Sequence, residues 1–326
     1  MTRKCCRRWL AVLALLLVGG FLGRAWAADT SSSAAGVNIT DTGNKLRIEV
    51  NGQPFTEYWY RDVPKPYLYP VLGPGGLPMT RHWPMEEAPD EERDHKHQRS
   101  IWFTHGAVNG QDFWSEEPKA GRIVQAKFLE VKSGKQSGVV RSSNTWIASD
   151  GSTVCTDERT LRIYAHPEVR QFDFEITLHA SNGPVTFGDT KEGTLGVRLA
   201  ETMRLEGKVG HGHIVNSEGA RDKATWGKRA AWCDYYGPVK DQIVGVAIFD
   251  HPQNLRHPTW WHVREYGLFA ANPFGVHDFE KQAAGAGDYV LAAGKSLTFR
   301  YRFVLHQGDE QQGRIAERYR EYVGTK

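Results

Sequence analysis

The sequence predicts a mainly β protein: a single large antiparallel β-sandwich with a C-terminal helix. Three observations carry this. Apolar and polar residues alternate with a period of two along most of the chain, the pattern of half-buried strands. Only one segment, close to the C-terminus, has a helical period. No repeat of fixed length and no low-complexity linker divides the roughly 300 residues that follow the N-terminal segment, ample for one core.

The N-terminus reads as an export signal spanning residues 1–27. Arg3, Lys4, Arg7 and Arg8 form a cationic start, Trp9 to Leu22 an apolar run, and Ala25-Trp26-Ala27 a small-x-small cleavage pattern. The run is short for a bilayer span, which takes about 20 residues. Cys5 and Cys6 precede the run, whereas a lipid-attachment cysteine would follow it. The expected location is periplasmic or secreted. Residues 28–40 are small and polar and read as a disordered tether, with the β domain at 41–326.

Strand patterns follow in order. Leu46, Ile48 and Val50 alternate with polar residues and end at Asn51-Gly52, a hairpin turn pair. Val139–Ala148 and Thr153–Tyr164 flank a second turn pair, Asp150-Gly151. Phe172, Phe174, Ile176 and Leu178 alternate, as do Leu195, Val197 and Leu199, and Leu297, Phe299, Tyr301, Phe303 and Leu305. Gln242–Phe249 is nearly all apolar, as in a strand buried on both faces. Ile315, Tyr319 and Val323 recur at helical spacing, and Asp309 is a start signal, so a helix is expected at about 309–323. Pro64–Arg99 and Gly207–Ala231 are strand-poor but rich in aromatic residues, which argues for functional loops rather than disorder.

Charge and cysteine content remove several function classes. The chain has 41 basic and 38 acidic residues, but five basic ones lie in the export segment; the remaining 36 leave a net charge of −2. The basicity therefore gives no argument for nucleic acid. After cleavage only Cys155 and Cys233 remain, enough for one disulfide but not for a cysteine metal cluster. Walker A, Rossmann, Gly-x-Ser-x-Gly, His-Glu-x-x-His and Cys-x-x-Cys signatures are absent, which argues against nucleotide cofactors, elbow-type serine hydrolysis and zincin proteolysis.

Four clusters could carry chemistry, each with a plainer alternative. Asp94-His95-Lys96-His97-Gln98-Arg99, continuing to Trp102, His105 and Trp114, places two imidazoles on one face if extended, although His-x-His also arises by chance. Lys191-Glu192 offers a carboxylate for acid–base work beside a cation, or is simply a solvated turn. Trp226 through Tyr236, including Trp232 and Asp234, has the rings and polar groups of a sugar subsite, or of an aromatic core. His251 through Asn272, including Trp261, His262 and Arg264, carries more histidine and arginine than a solvated loop needs.

The same residues carry a resemblance. Lys65-Pro66-Tyr67, Asp94-His95-x-His97, Trp102-Phe103-x-His105-Gly106 through Trp114, Lys191-Glu192-Gly193 and Trp261-His262-x-Arg264 through Gly275 resemble an uncharacterised bacterial family labelled methane-oxygenase-like, the PmoA family. The likeness covers nearly the whole mature chain. A particulate methane-oxygenase subunit would need several membrane-spanning helices, and the only long apolar segment here is the export signal, so the label reads as a misnomer. Members of the family often show Asp-His-x-His-His-Arg-Gly; here Gln98 and Ser100 stand in place of the third histidine and the glycine. The pattern is also similar at fold level to the supersandwich of galactose mutarotases, which implies sugar chemistry on a concave sheet face.

The leading expectation is an exported carbohydrate-active enzyme of epimerase, hydrolase or lyase type. Glu192, or Asp234, would act as base and His105 or His262 as acid. His95, His97, Arg99, Lys191, Trp114, Trp232, Trp261, Arg264 and Asn272 would bind the sugar. No cofactor is expected. The alternatives are a divalent-metal enzyme using His95, His97 and one of His105 or His262, and a non-catalytic glycan-binding module. The expected partner is a carbohydrate ligand or substrate, not nucleic acid, with no membrane span after cleavage.

Overall fold

The computed structural model describes residues 35–324. The export segment predicted at 1–27 lies outside the described residues. In chain order the strands are β1 (Val37–Asp41), β2 (Lys45–Val50), β3 (Gln53–Trp59), β4 (Tyr67–Val71), β5 (Ile101–His105), β6 (Arg122–Lys132), β7 (Ser137–Ile147), β8 (Thr153–Tyr164), β9 (Arg170–His179), β10 (Val185–Phe187) and β11 (Gly193–Arg198). They continue with β12 (His213–Asn216), β13 (Trp232–Val239), β14 (Gln242–Asp250), β15 (Trp260–Val263), β16 (Leu268–Asn272), β17 (Tyr289–Leu291) and β18 (Ser296–Gln307). A short helix α1 (Val276–Glu280) and a longer α2 (Ile315–Gly324) complete the elements.

Two eight-stranded antiparallel sheets form the expected β-sandwich. The first runs β1-β2-β3-β4-β5-β11-β16-β15 and the second β12-β13-β14-β18-β9-β8-β7-β6; β10 and β17 form a small separate ribbon. Alternation puts Leu46, Ile48, Phe103 and Leu195 of the first sheet against Phe172, Phe174, Val246 and Phe303 of the second in one apolar core. Phe103 stacks on Phe174 across the gap, with ring centroids 6.3 Å apart, and Phe55 meets Phe172 at 5.9 Å. Both outer faces are covered too. A cluster around Trp102, Trp114, Tyr67 and Leu268 lies outside the first sheet, and α2 packs outside the second against Phe249 and Val304. That second cover is why β14 is buried on both faces from Val244 onward.

The predicted turns are in place. Asn51 and Gly52 join β2 to β3 with φ of 51° and 71°, a left-handed pair suited to the twist of a hairpin. The Asn51 Oδ1 also accepts the Gly36 N–H at 3.0 Å. Asn51→Ala places a Cβ residue without a compensating side chain at positive φ, and is expected to lower stability by about 1–2 kcal/mol in urea unfolding.

Three expectations are corrected: the end of the tether, the start of the terminal helix and the place of Val323 on it. The tether does not extend to residue 40, because β1 starts at Val37, which is buried and pairs with Val50. The terminal helix starts at Ile315, not near 309; Asp309 instead caps the preceding turn, accepting the Gln311 and Gln312 N–H groups at 3.0 and 2.9 Å. Its buried face uses Ile315 and Tyr322, leaving Val323 exposed. The two strand-poor stretches each contribute a strand, β4 and β12. Cys155 and Cys233 are both free and buried, in β8 and β13, and burial pushes both thiols up, away from reactivity. Among the described residues no helix is long and apolar enough to cross a membrane.

Candidate active site

The outer face of the first sheet carries the site. Its foundation is a pair of arginines with no exposed surface, Arg81 and Arg198, the latter at the end of β11. Such groups need compensating charge. Asp94 supplies it: its carboxylate accepts from Arg198 Nη2 at 2.8 and 3.0 Å and from Arg81 Nη1. Arg81 also donates to the carbonyls of Glu92, Asp94 and His95, and Arg198 Nη1 to Gln98 Oε1 at 2.5 Å. The 92–98 loop is thus wrapped around two cations. Burial works to raise the Asp94 pKa, but the hydrogen bonds from His95 and Arg198 and the two arginine charges outweigh it, holding the carboxyl well below its usual range.

Asp94 fixes His95. His95 Nδ1 lies 2.8 Å from Asp94 Oδ2; because the carboxylate is ionised, Nδ1 is the donor of this bond. The ring stacks flat on Tyr266, with centroids 5.1 Å apart and planes within 4°. Beneath Tyr266 the Arg198 guanidinium sits 4.8 Å from the ring centroid. His97 meets His95 edge-on at 5.7 Å and lies 6.2 Å from Trp114. Burial, reinforced by the Lys65 charge, lowers the His97 pKa to about 4, so it is a neutral donor–acceptor at physiological pH.

Opposite stands Glu192, at the end of a loop held carbonyl by carbonyl. His105 Nε2 donates to Gly188 O at 2.7 Å, Asn272 Nδ2 to Thr190 O at 2.8 Å, and His262 Nδ1 to Lys191 O at 2.7 Å. The Gly106 N–H donates to Glu192 O at 2.6 Å; a Cβ on Gly106 would come within 2.8 Å of Glu192 Cβ, so glycine is required for this approach. Asp278 accepts the Lys191 N–H at 2.8 Å, and the Asp189 carboxylate accepts N–H groups from His277 and Gly287. Burial raises the Glu192 pKa against the pull of Lys191, whose Nζ is 3.6 Å from Oε1. His95, His97, Gly106, Asp112, Trp114, Thr190, Glu192 and Tyr266 are among the residues lining a cleft of about 380 Å³. That volume falls within the range of small-molecule pockets, about 300–1,000 Å³.

Residues 45–320 match a family of unknown function, DUF6807. The chain belongs to this family. The match carries the uncharacterised family, not the methane-oxygenase-like label. No curated protein matches. Among solved structures, this DUF6807 chain is similar to the galactosidase domain of alpha-galactosidase-sucrose kinase AgaSK at 7% identity, covering 83% of this chain and 41% of that one, with a TM-score of 0.40. It is also similar to a galactose mutarotase related enzyme from Lactobacillus acidophilus at 10% identity, covering 83% and 97%, with a TM-score of 0.34. A putative kojibiose phosphorylase from human microbiome follows at 11% identity, covering 69% and 26%, with a TM-score of 0.33. The chain spans about two fifths of the galactosidase-domain structure. At these scores none of the likenesses bears on residue roles.

The DUF6807 cleft gathers four of the predicted residues, Glu192, His95, His97 and Trp114, and Lys191 pairs with Glu192. Others are placed elsewhere. His105 and His262 are buried loop anchors; burial lowers the pKa of each to about 4, so neither is a ready acid. Asn272 is an anchor as well. Asp234 faces outward from the second sheet, paired with His306 at 3.1 Å, and Trp232 packs in the cluster beneath α2. Trp261 is core, its indole N–H donating to Ala230 O at 2.9 Å. Arg99 forks to Glu116 at 2.7–3.0 Å, joined there by buried Lys65 at 2.6 Å. It borders a separate hollow over Trp59, whose ring is already engaged by Lys45 and Tyr67. Arg264 lies beside the cleft, between Trp226 and Tyr266.

The three-imidazole set for a metal does not form. His105 packs between Phe187 and Phe274, away from His95 and His97. Among the described residues no group of three or more His, Cys, Asp or Glu is placed to hold a metal ion.

Arg81 and Arg198 were not singled out from the sequence, and Asp94 and Tyr266 stood within its clusters without a role. Arg198 did leave a signal: a charge between Val197 and Leu199 in an apolar strand must find a buried partner. His262→Ala removes the donor to Lys191 O and opens space beside Trp226 and Phe279. It is expected to cost about 1–3 kcal/mol of stability in thermal or urea unfolding, from the unpaired buried carbonyl.

Proposed function

We propose that this DUF6807 protein is an exported carbohydrate-active enzyme in which Glu192 and the Asp94–His95 pair transfer protons at a bound sugar. The observation that carries the reading is convergence: a carboxyl with a raised pKa and an imidazole oriented by a second carboxylate border the same cleft. The two groups suit complementary roles. Glu192, kept partly from solvent, holds its proton more tightly than a free glutamate does. His95, oriented by Asp94 through Nδ1, presents Nε2 for the exchange.

The rest of the cleft fits a neutral polyol. Tyr266 and Trp114 offer apolar ring edges and faces to sugar C–H groups, while neutral His97, Thr190, Ser115 and Asp112 offer hydroxyl partners. The Lys191 cation is matched to Glu192. Proton transfer of this kind is the step that epimerisation, hydrolysis and elimination share. Export rests on the signal pattern at residues 1–27.

The test is to incubate purified protein with a panel of mono- and oligosaccharides and follow binding and conversion by proton NMR. Saturable binding with product formation is the expected result. Saturable binding without product from any member would replace the enzyme by a glycan-binding module. Absence of binding across the panel would overturn the sugar reading.

A further inference from the structure

A second pocket adjoins the cleft. Ile214, Lys223, Trp226, Val263, Arg264 and Glu265 line a hollow of about 300 Å³. Two links join it to the Glu192 cleft. The Arg264 guanidinium lies 5.6 Å from the ring of Tyr266, which borders the cleft, and 6.0 Å from that of Trp226, which borders the second pocket. On the other side, the His262 ring meets Trp226 edge-on at 6.5 Å while donating to the carbonyl of Lys191, the residue before Glu192. Arg264 therefore bridges the two pockets, and Tyr266 is shared between Arg264 and the Glu192 cleft.

The chemistry of the second pocket is that of a sugar contact. It pairs an indole with a guanidinium and a carboxylate, with Ile214 and Val263 as the apolar lining. The Trp226 indole N–H is buried without a hydrogen-bond partner, so what the indole offers the hollow is its ring. Arg264 is held only loosely by Glu265, at 3.3 Å to each oxygen, and its side chain stays one-third exposed. A fork so weakly engaged is available to a hydroxyl pair.

We infer that the substrate is a glycoside of at least two linked rings, one in the Glu192 cleft and the next over Trp226 and Arg264, so that the linkage passes beside Glu192. This rests on the sugar reading above and narrows it from carbohydrates in general to compounds with a glycosidic bond. A single-ring substrate would leave the second pocket without a role.

The experiment compares affinities across chain length. Glucose and galactose are titrated against maltose, cellobiose, melibiose and lactose and their trisaccharide homologues, with wild type, Trp226→Ala and Arg264→Gln. In wild type, at least one disaccharide should bind about tenfold or more tightly than its constituent monosaccharide, the increment expected from covering one further ring on an aromatic side chain. In Trp226→Ala that ratio should collapse toward one, and in Arg264→Gln it should fall. Circular dichroism and unfolding midpoints confirm that each variant is folded; if Trp226→Ala is not, Trp226→Leu and Arg264→Gln carry the test. Equal affinity for mono- and disaccharides in wild type, or a ratio untouched in the folded variants, overturns this inference and leaves the sugar reading standing. No binding by any sugar overturns both.

Discussion

Glu192→Gln is expected to lower turnover of the cleft's substrate by about 10²–10⁴-fold, the usual contribution of a positioned general acid or base. Gln keeps the size and the Gly106 N–H contact to the backbone carbonyl, but it cannot exchange a proton. The fold should survive unharmed. A carboxyl whose folded pKa is raised contributes stability below its unfolded pKa, and that contribution is lost as pH rises through the folded value. At neutral pH Glu192 is therefore a cost to folding, and its amide replacement should unfold at the same urea concentration or a higher one. The pH–rate profile gives a second signature. Wild type should show a Glu192 limb displaced upward from that of a free glutamate, and Glu192→Gln should lack it. Wild-type rates in the variant on a confirmed substrate would remove Glu192 from the mechanism.

Asp94→Ala should be the most destabilising single change at the site. It leaves the two buried guanidiniums of Arg81 and Arg198 facing each other without the shared carboxylate. Breaking a buried ion pair from one side costs about 3–5 kcal/mol. Urea unfolding measures this directly; a loss below about 0.5 kcal/mol, the range of ordinary surface substitutions, would show that the cluster is solvated. The acid dependence follows from the sign of the shift. Asp94 has a depressed pKa, so its contribution is complete above the unfolded carboxylate value and is lost as pH falls toward the folded one. Wild type should lose more stability than Asp94→Ala between about pH 4 and the acid limit of the folded state. The variant should also lose activity, since His95 Nδ1 no longer has its acceptor.

The sheets were largely legible because one buried face enforces alternation. Phe172, Phe174, Ile176 and Leu178 read correctly as inward residues of β9. β4 was missed because Pro70 interrupts a five-residue strand, and a proline inside a short run reads as a breaker. Alternation has no power where both faces are covered. That is why Trp232 and Asp234 in β13 and Trp261 in β15 were placed at the site although they face a helix-covered layer and the core.

The candidate site was legible in place more than in role. His95 and His97 line one cleft, as the spacing of two suggested, and the 188–192 loop reaches it from β11. His105, His262 and Asn272 were found in the right neighbourhood, but they face backbone carbonyls instead of the cleft. An imidazole that moves protons and one that only donates to a carbonyl are the same residue in a sequence. Burial separates them, and burial depends on strands distant in the chain. The Arg81–Asp94–Arg198 cluster was illegible for that reason too: its members are 13 and 104 residues apart.

The carbonyl clamp under Glu192 divides the response to acid into two stages. Both imidazoles stay neutral down to about pH 4 when folded, whereas unfolded histidine takes up a proton near pH 6.5. Between those values protons are drawn to the unfolded chain, so the folded form becomes less favoured while its hydrogen bonds keep their direction. In a mildly acidic medium the loop would present Glu192 in an unchanged position. What acid removes first is the population of folded molecules, and only below about pH 4 the shape of the site itself.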